Sequence, residues 1–359
     1  MKLVAAVKLL PSREQATVLK ATLKRCNDAC TAIAASGFAI GTFRQFDLHK
    51  ANYASVRGEF ELSAQAAIRC IAKVADAFKI NRKVAPVFRA DAAQPYDDRI
   101  LSFKGDTISI WTLEGRMRLG FVAGQKQRDL LAFRKGESDL CFVRGKWILA
   151  CTCDIPETEE FKAFDWIGVD LGIVSIAATS DGKIYTGEDI ERARAKLTKR
   201  RKGLQSRGTK AAKRRLVKLS KKQARFQKHT NHVISKAIVI DAERTGRGIA
   251  LEELTHIRSR VTARRKHRAR LSNWSFGQLR GFLAYKAKRL GVPVVFVDPH
   301  YTSKVCAECG CSDDRNRPNQ ATFSCISCGH QDHADLNGAR NIRARAVVNQ
   351  PENLQTGIV

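Results

Sequence analysis

Hydrophobic and polar positions along this chain change period several times, and each change predicts a different kind of element. Residues 2–10, KLVAAVKLL, read as a short strand. Ser12 followed by Gln15 makes a capping-box pattern, in which each side chain closes a backbone N–H of the other residue, and so predicts a helix start. From there to about Lys79 the period is helical, with Ala-rich stretches such as SAQAAIRCIAKVADAFK. From about Ile100 the period becomes two. TISIWTL, RMRLGFV, SDLCFV and KWILACTCDI alternate apolar and polar residues, with turns expected at Gly105, Gly115, Gly136 and Gly145. This is the pattern of a small antiparallel barrel or meander, which the N-terminal strand is expected to join.

The next stretch, FDWIGVDLGIVSIAATSDGKIYTG from Phe164 to Gly187, predicts a β-hairpin. Ile167, Val169, Leu171, Ile173, Val174 and Ile176 supply one apolar run, and Asp181-Gly182 the turn before Lys183 to Tyr185. Asp170 interrupts that run. A carboxylate buried there costs on the order of several kcal/mol unless it is paired or holds a metal; a satisfied structural Asp or a turn former is the competing reading. Further on, GIALEEL (248–254) is a strand, Trp274 to Leu290 an amphipathic helix and Val292 to Val297 another strand. Strand, helix, strand after a hairpin predicts an α/β layer with a mixed sheet.

Composition changes this picture through charge. The 359 residues are 44% hydrophobic, ordinary for a folded chain with two or three cores, but 64 Lys and Arg against 35 Asp and Glu leave a net charge of +29. Such an excess attracts polyanions, and nucleic acid is the default partner. A membrane is excluded as partner, since no apolar run approaches the ~20 residues that span a bilayer and no basic amphipathic helix has a clean apolar face. The N-terminal apolar run is broken by Lys8 and Pro11 and reads as no signal peptide, so a cytoplasmic protein is expected. The charge concentrates between Arg192 and Lys228, around a break at Ser206 to Thr209, where Arg200, Arg201, Lys202, Arg214, Arg215, Lys221 and Lys222 are candidate phosphate contacts. A charge run is often only a solvated face, but hardly any acid is present here to relieve the repulsion. A second basic loop runs from Arg258 to Arg270.

Eleven cysteines without a secretion signal argue for thiols or metal sites over a disulfide framework. Cys306-x-x-Cys309 and Cys325-x-x-Cys328, fifteen residues apart and each followed by a glycine, have the spacing of a zinc ribbon holding one structural Zn²⁺. Cys311 and His330 lie beside them as substitute ligands. Cys26, Cys30 and Cys70 are expected as small buried residues, and Cys151 and Cys153 as core. Three carboxylates recur where strands or helices end: Asp170, Glu252 and Asp335, the last in HADLNGARNI. Phosphodiester hydrolysis with two Mg²⁺ needs several such groups around ions ~4 Å apart. For Asp335 a helix cap is the plain alternative. Glu253 is an alternative to Glu252, but period two turns it to the opposite face.

GVDLGI, IALEEL and DHADLNGARNI, with YTSKVCAECG and the second CxxC pair before the last, resemble the three motifs of a RuvC-type, RNase H-like nuclease interrupted by a zinc ribbon. The arrangement resembles the TnpB (OrfB) family, RNA-guided DNA endonucleases of insertion sequences related to compact type V CRISPR effectors. WSFGQLRGFLAYKAKRLGVPVVFVDPH, LLPSREQ and LHKANYASVRGEFELSAQAAIRCIAKVADAFK are similar to the family's pattern too, so nearly the whole chain is covered. The resemblance implies an α/β plus β chain: a small β-barrel (wedge) domain at 1–11 and 86–160, a helical recognition lobe at 12–85, a RuvC-like nuclease domain at 161–305 and 330–348, a zinc ribbon at 306–329 and a tail at 349–359. It implies Asp170, Glu252 and Asp335 as catalytic Mg²⁺ ligands, and as partners a transposon-encoded noncoding guide RNA and double-stranded target DNA cut beside a short motif; the oligomeric state is open, with a monomer favoured. The family more often has Asp or Asn at the position of Glu253 and Ala at that of Gly338; neither change removes a ligand. A guide-dependent DNA-binding regulator that does not cut would lack an acidic residue of the triad, and all three are here; a strand-transfer transposase shares the triad but not the RNA-gripping half.

Overall fold

A computed structural model of the chain describes residues 1–172, 175–253 and 276–348, in two units, Met1–Pro156 and Glu157–Val359. The first unit begins with strand β1 (Lys2–Leu9) and three helices, α1 (Arg13–Ala39), α2 (Gln45–Glu59) and α3 (Ala64–Ile80). The capping box forms: Ser12 Oγ accepts from the Gln15 backbone N–H while Gln15 Oε1 accepts from that of Ser12. Cys26, Cys30 and Cys70 are buried with Ile33, Leu48, Ile71 and Phe78 between the helices. Strands β2 (Gln94–Tyr96), β3 (Leu101–Lys104), β4 (Thr107–Thr112), β5 (Gly115–Val122), β6 (Arg134–Val143) and β7 (Lys146–Asp154) join β1 in an antiparallel sheet of order β2-β6-β7-β1-β5-β4-β3. Its edge strands β2 and β3 are consecutive in the chain, with only residues 97–100 between them, so the sheet curls into a nearly closed barrel. Alternate residues fill it: Ala5, Val7 and Leu9 of β1 against Leu149, Cys151 and Cys153 of β7.

Three details of this unit depart from the sequence reading, the first being the three-residue strand β2, all buried and so without an alternating pattern. A seven-residue helix, α4 (Gln125–Leu131), stands between β5 and β6; only its Leu130 is buried, which leaves no periodicity to read. Gly136 makes no turn. With φ 81° it lies inside β6, where the register against β7 shifts between Arg134 and Ser138, as a β-bulge does.

The second unit is built on β8 (Trp166–Asp170), β9 (Ser175–Thr179), β10 (Ile184–Thr186), β11 (Gly248–Glu252) and β12 (Val294–Val297), in the order β10-β9-β8-β11-β12. Strands β8, β9 and β10 pair antiparallel with one another, and β11 lies parallel to both β8 and β12. Helices α5 (Glu188–Arg207) and α6 (Lys210–Arg244) follow β10, α7 (Phe276–Arg289) precedes β12, and α8 (Ala334–Val348) comes last. A two-stranded hairpin, β13 (Thr322–Ser324) with β14 (Gln331–His333), leads into α8. The expected single hairpin is a three-stranded meander. The run from Ile167 to Ile176 divides, with β8 ending at Asp170 and β9 starting at Ser175. Gly172 makes the reversal tight, since a Cβ there would lie 2.6 Å from the Ser175 carbonyl oxygen. Asp170 therefore ends a strand.

Among the described residues no helix is long and apolar enough to cross a membrane. Ile173, Val174, Leu254, the first residues of the predicted Trp274 helix, the basic loop 258–270 and the tail 349–359 lie outside the described residues.

Candidate metal centres

Period two sorts the central strands of the second unit into two faces. Ile167, Val169 and Leu171, with Ile249 and Leu251, pack against Ile234, Ile238 and Val239 of α6 and Leu279 and Leu283 of α7. Trp166, Ala250 and Val297 point the other way and meet Ile342 and Ala346 of α8. Asp170 and Glu252 belong to this second face, being in step with Trp166 and Ala250. The helix that covers the face comes very close. A Cβ on Gly168 would lie 2.0 Å from the Ala339 carbonyl oxygen and 2.6 Å from the Arg343 nitrogen, so only glycine lets α8 cross β8 there.

That crossing delivers Asp335, one turn before Ala339 on the same face of α8. Gly338 lies against Asp170, where an added Cβ would be 3.1 Å from Oδ2, and Gly172 lies near Asp335, where one would be 3.8 Å from Oδ2. The structure thus brings the three carboxylates named from sequence to one end of one sheet face. Asp170 is pushed up to about 8, first by burial and then by the negative charges of Glu252 and Asp335, with the Arg317 guanidinium opposing. Burial also raises Glu252, against the lowering effect of the Thr302 hydroxyl, which donates to its Oε1, and of Arg345. Arg317 Nη2 stands 3.6 Å from Asp335 Oδ1.

These groups fit Mg²⁺. The donors are carboxylate oxygens, which hard cations take, and like charges crowded enough to hold a proton on Asp170 are charges that a cation would release. Among the described residues the cysteines are the one group of three or more His, Cys, Asp or Glu side chains gathered closely enough to hold a metal ion as they stand. Glu253 is engaged elsewhere, its oxygens accepting from Arg280 Nη1 at 2.8 Å and Nη2 at 2.6 Å.

The four cysteines converge. Their Sγ atoms all lie within 4.8 Å, with Cys306 to Cys328 at 3.7 Å and Cys309 to Cys325 at 3.5 Å. Tetrahedral Zn–S bonds of about 2.3 Å put sulfurs roughly 3.8 Å apart, far beyond disulfide length. The two knuckles share one pattern: Cys306 and Cys325 each donate a backbone N–H to the carbonyl five residues on, at Cys311 and His330, and each accepts from the glycine four residues on. Cys311 and His330 enter through those carbonyls, not as ligands. The crowded thiols share their protons unequally: Cys325 is lowered to about 6, chiefly by the Cys328 backbone N–H, while Cys328, despite the lowering effect of the His330 backbone N–H, is pushed up to about 12 by the Cys309 thiol and by burial. The ribbon is tied to α8. Asn337 accepts from the Ala307 N–H at 2.9 Å and donates to the Val305 carbonyl at 2.8 Å, and Asn341 donates to the Thr302 carbonyl at 2.8 Å. One helix therefore holds both the ribbon's base and Asp335.

Of the basic candidates, Arg200, Arg201 and Lys202 lie exposed on α5, and Arg214, Arg215 and Lys222 exposed on α6; the side chain of Lys221 lies outside the described residues. The cations that act on the carboxylates are Arg317 and Arg345. Sequence reading missed both, and Thr302 with them, since no fixed spacing links any of the three to Asp170, Glu252 or Asp335.

Comparison with known proteins adds a lineage. The OrfB_IS605 model, described as "Probable transposase", matches residues 152–269, and the "Cas12f1-like, TNB domain" model matches residues 276–342. A TnpB-like protein of Methanocaldococcus jannaschii is 30% identical over 216 residues, 60% of this chain and 73% of that protein. The CRISPR-associated endodeoxyribonuclease Cas12f1 of Sulfoacidibacillus thermotolerans is 34% identical over 217 residues, 55% of this chain. The match spans only half, 50%, of that relative's length. Among solved structures, a complex of Cas12f1 with sgRNA and target DNA aligns with a TM-score of 0.62 at 15% identity, over 92% of this chain and 83% of that one, a likeness of fold.

Proposed function

The chain belongs to the TnpB (OrfB) family, and from that premise we propose that it is an RNA-guided endonuclease cutting double-stranded DNA beside a short adjacent motif. Its centre is RuvC-type and RNase H-like, at 161–305 and 330–348, with the zinc ribbon at 306–329. The barrel (1–11 and 86–160) and the helical lobe (12–85) grip the guide and its heteroduplex, while base pairing carries the sequence specificity. The order β10-β9-β8-β11-β12, with acids at the ends of two adjacent parallel strands, supports the nuclease reading. The charge of +29 and the sgRNA and DNA named with the solved relative support nucleic acid as partner.

One observation carries the proposal: Asp170 stands half-buried within electrostatic reach of Glu252 and Asp335, on a face that a helix covers only because Gly168 admits it. Asp170, Glu252 and Asp335 would hold two Mg²⁺ ions, which when bound would supply the chemistry of activating a water and neutralising a leaving 3′ oxygen. The chain's own residues prepare the site. Thr302 orients Glu252 by donating its hydroxyl proton, α8 fixes Asp335 through its close crossing of β8, and Arg317 balances the acidic cluster. The same guanidinium is suited to a scissile phosphate, which presents oxygens in the carboxylate's fork geometry.

The test starts from the RNA that survives a high-salt wash of protein expressed with its native flanking DNA. A discrete species with a fixed scaffold and a variable end is expected, and it defines the target for a cleavage assay. With that target, the wild type cuts in Mg²⁺, and Asp170→Ala keeps the RNA while cutting falls by orders of magnitude. Asp170→Ala cutting at the wild-type rate overturns the site assignment. Heterogeneous RNA alone overturns the guide, and joined DNA ends in place of simple cuts would identify strand transfer.

A further inference from the structure

The long helical hairpin of the second unit does more than display charge. From Arg192 to Ile240 there are eighteen Lys and Arg residues and no Asp or Glu. Between α5 and α6 this basic surface opens into a cleft of about 530 Å³, within the range of roughly 300–1,000 Å³ typical of small-ligand sites. Half-buried Leu204 and Leu219 form its apolar floor, while exposed Arg200, Arg207, Arg215, Lys218 and Lys222 stand around it, with no acid among the lining residues. Gly203 lies on the same cleft, in the interior of α5, where glycine lowers helix stability. Nothing lies within 4 Å of the position its Cβ would take, so a larger side chain placed there meets open space and no packed neighbour.

Phosphates alone require no apolar floor and no open space. A base ring requires both, and a guanidinium plane is a surface on which a base stacks. Bases inside a duplex already have their faces covered, so a ring that reaches Leu204 and Leu219 comes from an unpaired nucleotide. Its neighbouring phosphates then meet the surrounding cations, the pairing of basic groove and base stacking that binds single strands. We infer that the cleft between α5 and α6 seats one unstacked base of a single-stranded segment of the RNA, its flanking phosphates held by Arg200, Arg207, Arg215, Lys218 and Lys222. This rests on the reading of the chain as an RNA-binding protein. RNA is taken as the occupant because, on the proposed function, it is the polyanion the protein carries before any DNA is met.

Gly203→Phe fills the cleft, leaves every charge in place and exchanges glycine for a better helix former. Gly203→Ala makes the helix change without filling it. The probes are fluorescein-labelled oligouridylate, oligothymidylate and an abasic phosphoribose oligomer of equal length and charge, read by anisotropy with the full chain freed of RNA. The wild type and Gly203→Ala bind oligouridylate about tenfold more tightly than the abasic oligomer, the scale of stacking one base. Gly203→Phe loses that preference while its affinity for the abasic oligomer is unchanged. Absence of the preference in the wild type, or its survival in Gly203→Phe, overturns the inference and leaves the cleft a seam between two helices. Tighter binding of oligothymidylate than of oligouridylate also overturns it, in favour of the DNA strand. The guide reading fails separately. Loss of the base preference in Gly203→Phe with only heterogeneous RNA on the purified protein upholds the cleft and removes the guide.

Discussion

Asp170 shows most directly what a single residue costs the fold and what it gains for the site. Burial, with the neighbouring charges of Glu252 and Asp335, pushes its carboxyl up to about 8 from an ordinary 3.8. Below about pH 4 the group is protonated in both folded and unfolded chains and its burial is harmless. As pH rises towards 8 the unfolded chain gives up the proton more readily, so stability falls across that window and levels off above it. Without added Mg²⁺, denaturant unfolding of the wild type is therefore expected to lose stability on the order of a few kcal/mol between pH 4 and 8. Asp170→Asn should flatten this slope, and Mg²⁺ should offset it in the wild type by binding the carboxylate form. A slope equally steep in Asp170→Asn would show that the burden lies elsewhere. The three acids were legible in the sequence because each is a charge at the end of an apolar run or in a small-residue helix start. Their partners were not. Thr302 is fifty residues from Glu252, and Arg317 acts on Asp335 from the ribbon, separations that only the folded chain closes.

Helix α8 is the element on which the site turns. Along its DLNGARN segment nearly every residue meets a different neighbour. Asp335 joins the acidic cluster, Gly338 touches Asp170, Asn337 and Asn341 hold the ribbon's base, and Ala339 makes the crossing over Gly168. Adding one methyl at Gly168 attacks that arrangement at its tightest point, 2.0 Å from backbone that has no rotamer to yield. Overpacking of this kind costs about 1–3 kcal/mol, and a misplacement near 1 Å can cost catalysis about a hundredfold. Gly168→Ala is thus expected to lower Tm and to cut about a hundredfold more slowly, with bound RNA and zinc content unchanged. Gly277→Ala, in open space at the start of α7, is the matched control and should do neither. Normal cutting by Gly168→Ala would mean that α8 does not position Asp335. At this scale period two revealed the barrel strands apart from β2, whose three residues are all buried and show no alternation, and the strands of the mixed sheet. It could not reveal the reversal after Asp170, because the apolar run continues through it, nor α4, which buries a single side chain.

The whole molecule carries a charge of +29, which repels itself in the free chain and which the proposed nucleic-acid partner would neutralise. Like charges three and four residues apart on a helix repel by about 0.2–0.5 kcal/mol per pair, and the hairpin of α5 and α6 contains many such pairs with no acid between Arg192 and Ile240 to offset them. The same cations release counterions when a phosphate backbone covers them, so that log K falls with log salt by about 0.7 for each single-strand phosphate contact. A triple substitution, Arg201→Gln, Lys202→Gln and Arg214→Gln, removes three exposed charges and should therefore act with opposite signs on the free and bound states. RNA-free protein should melt at a slightly higher temperature than the wild type, because repulsion is relieved where no packing is lost. The complex should bind more weakly at low salt, with a salt slope shallower by about two, and the two affinity curves should converge as salt rises. An unchanged slope would mean that these residues face solvent in the complex. A lower melting point without RNA would mean that the hairpin is held by contacts of these side chains, not strained by their charge.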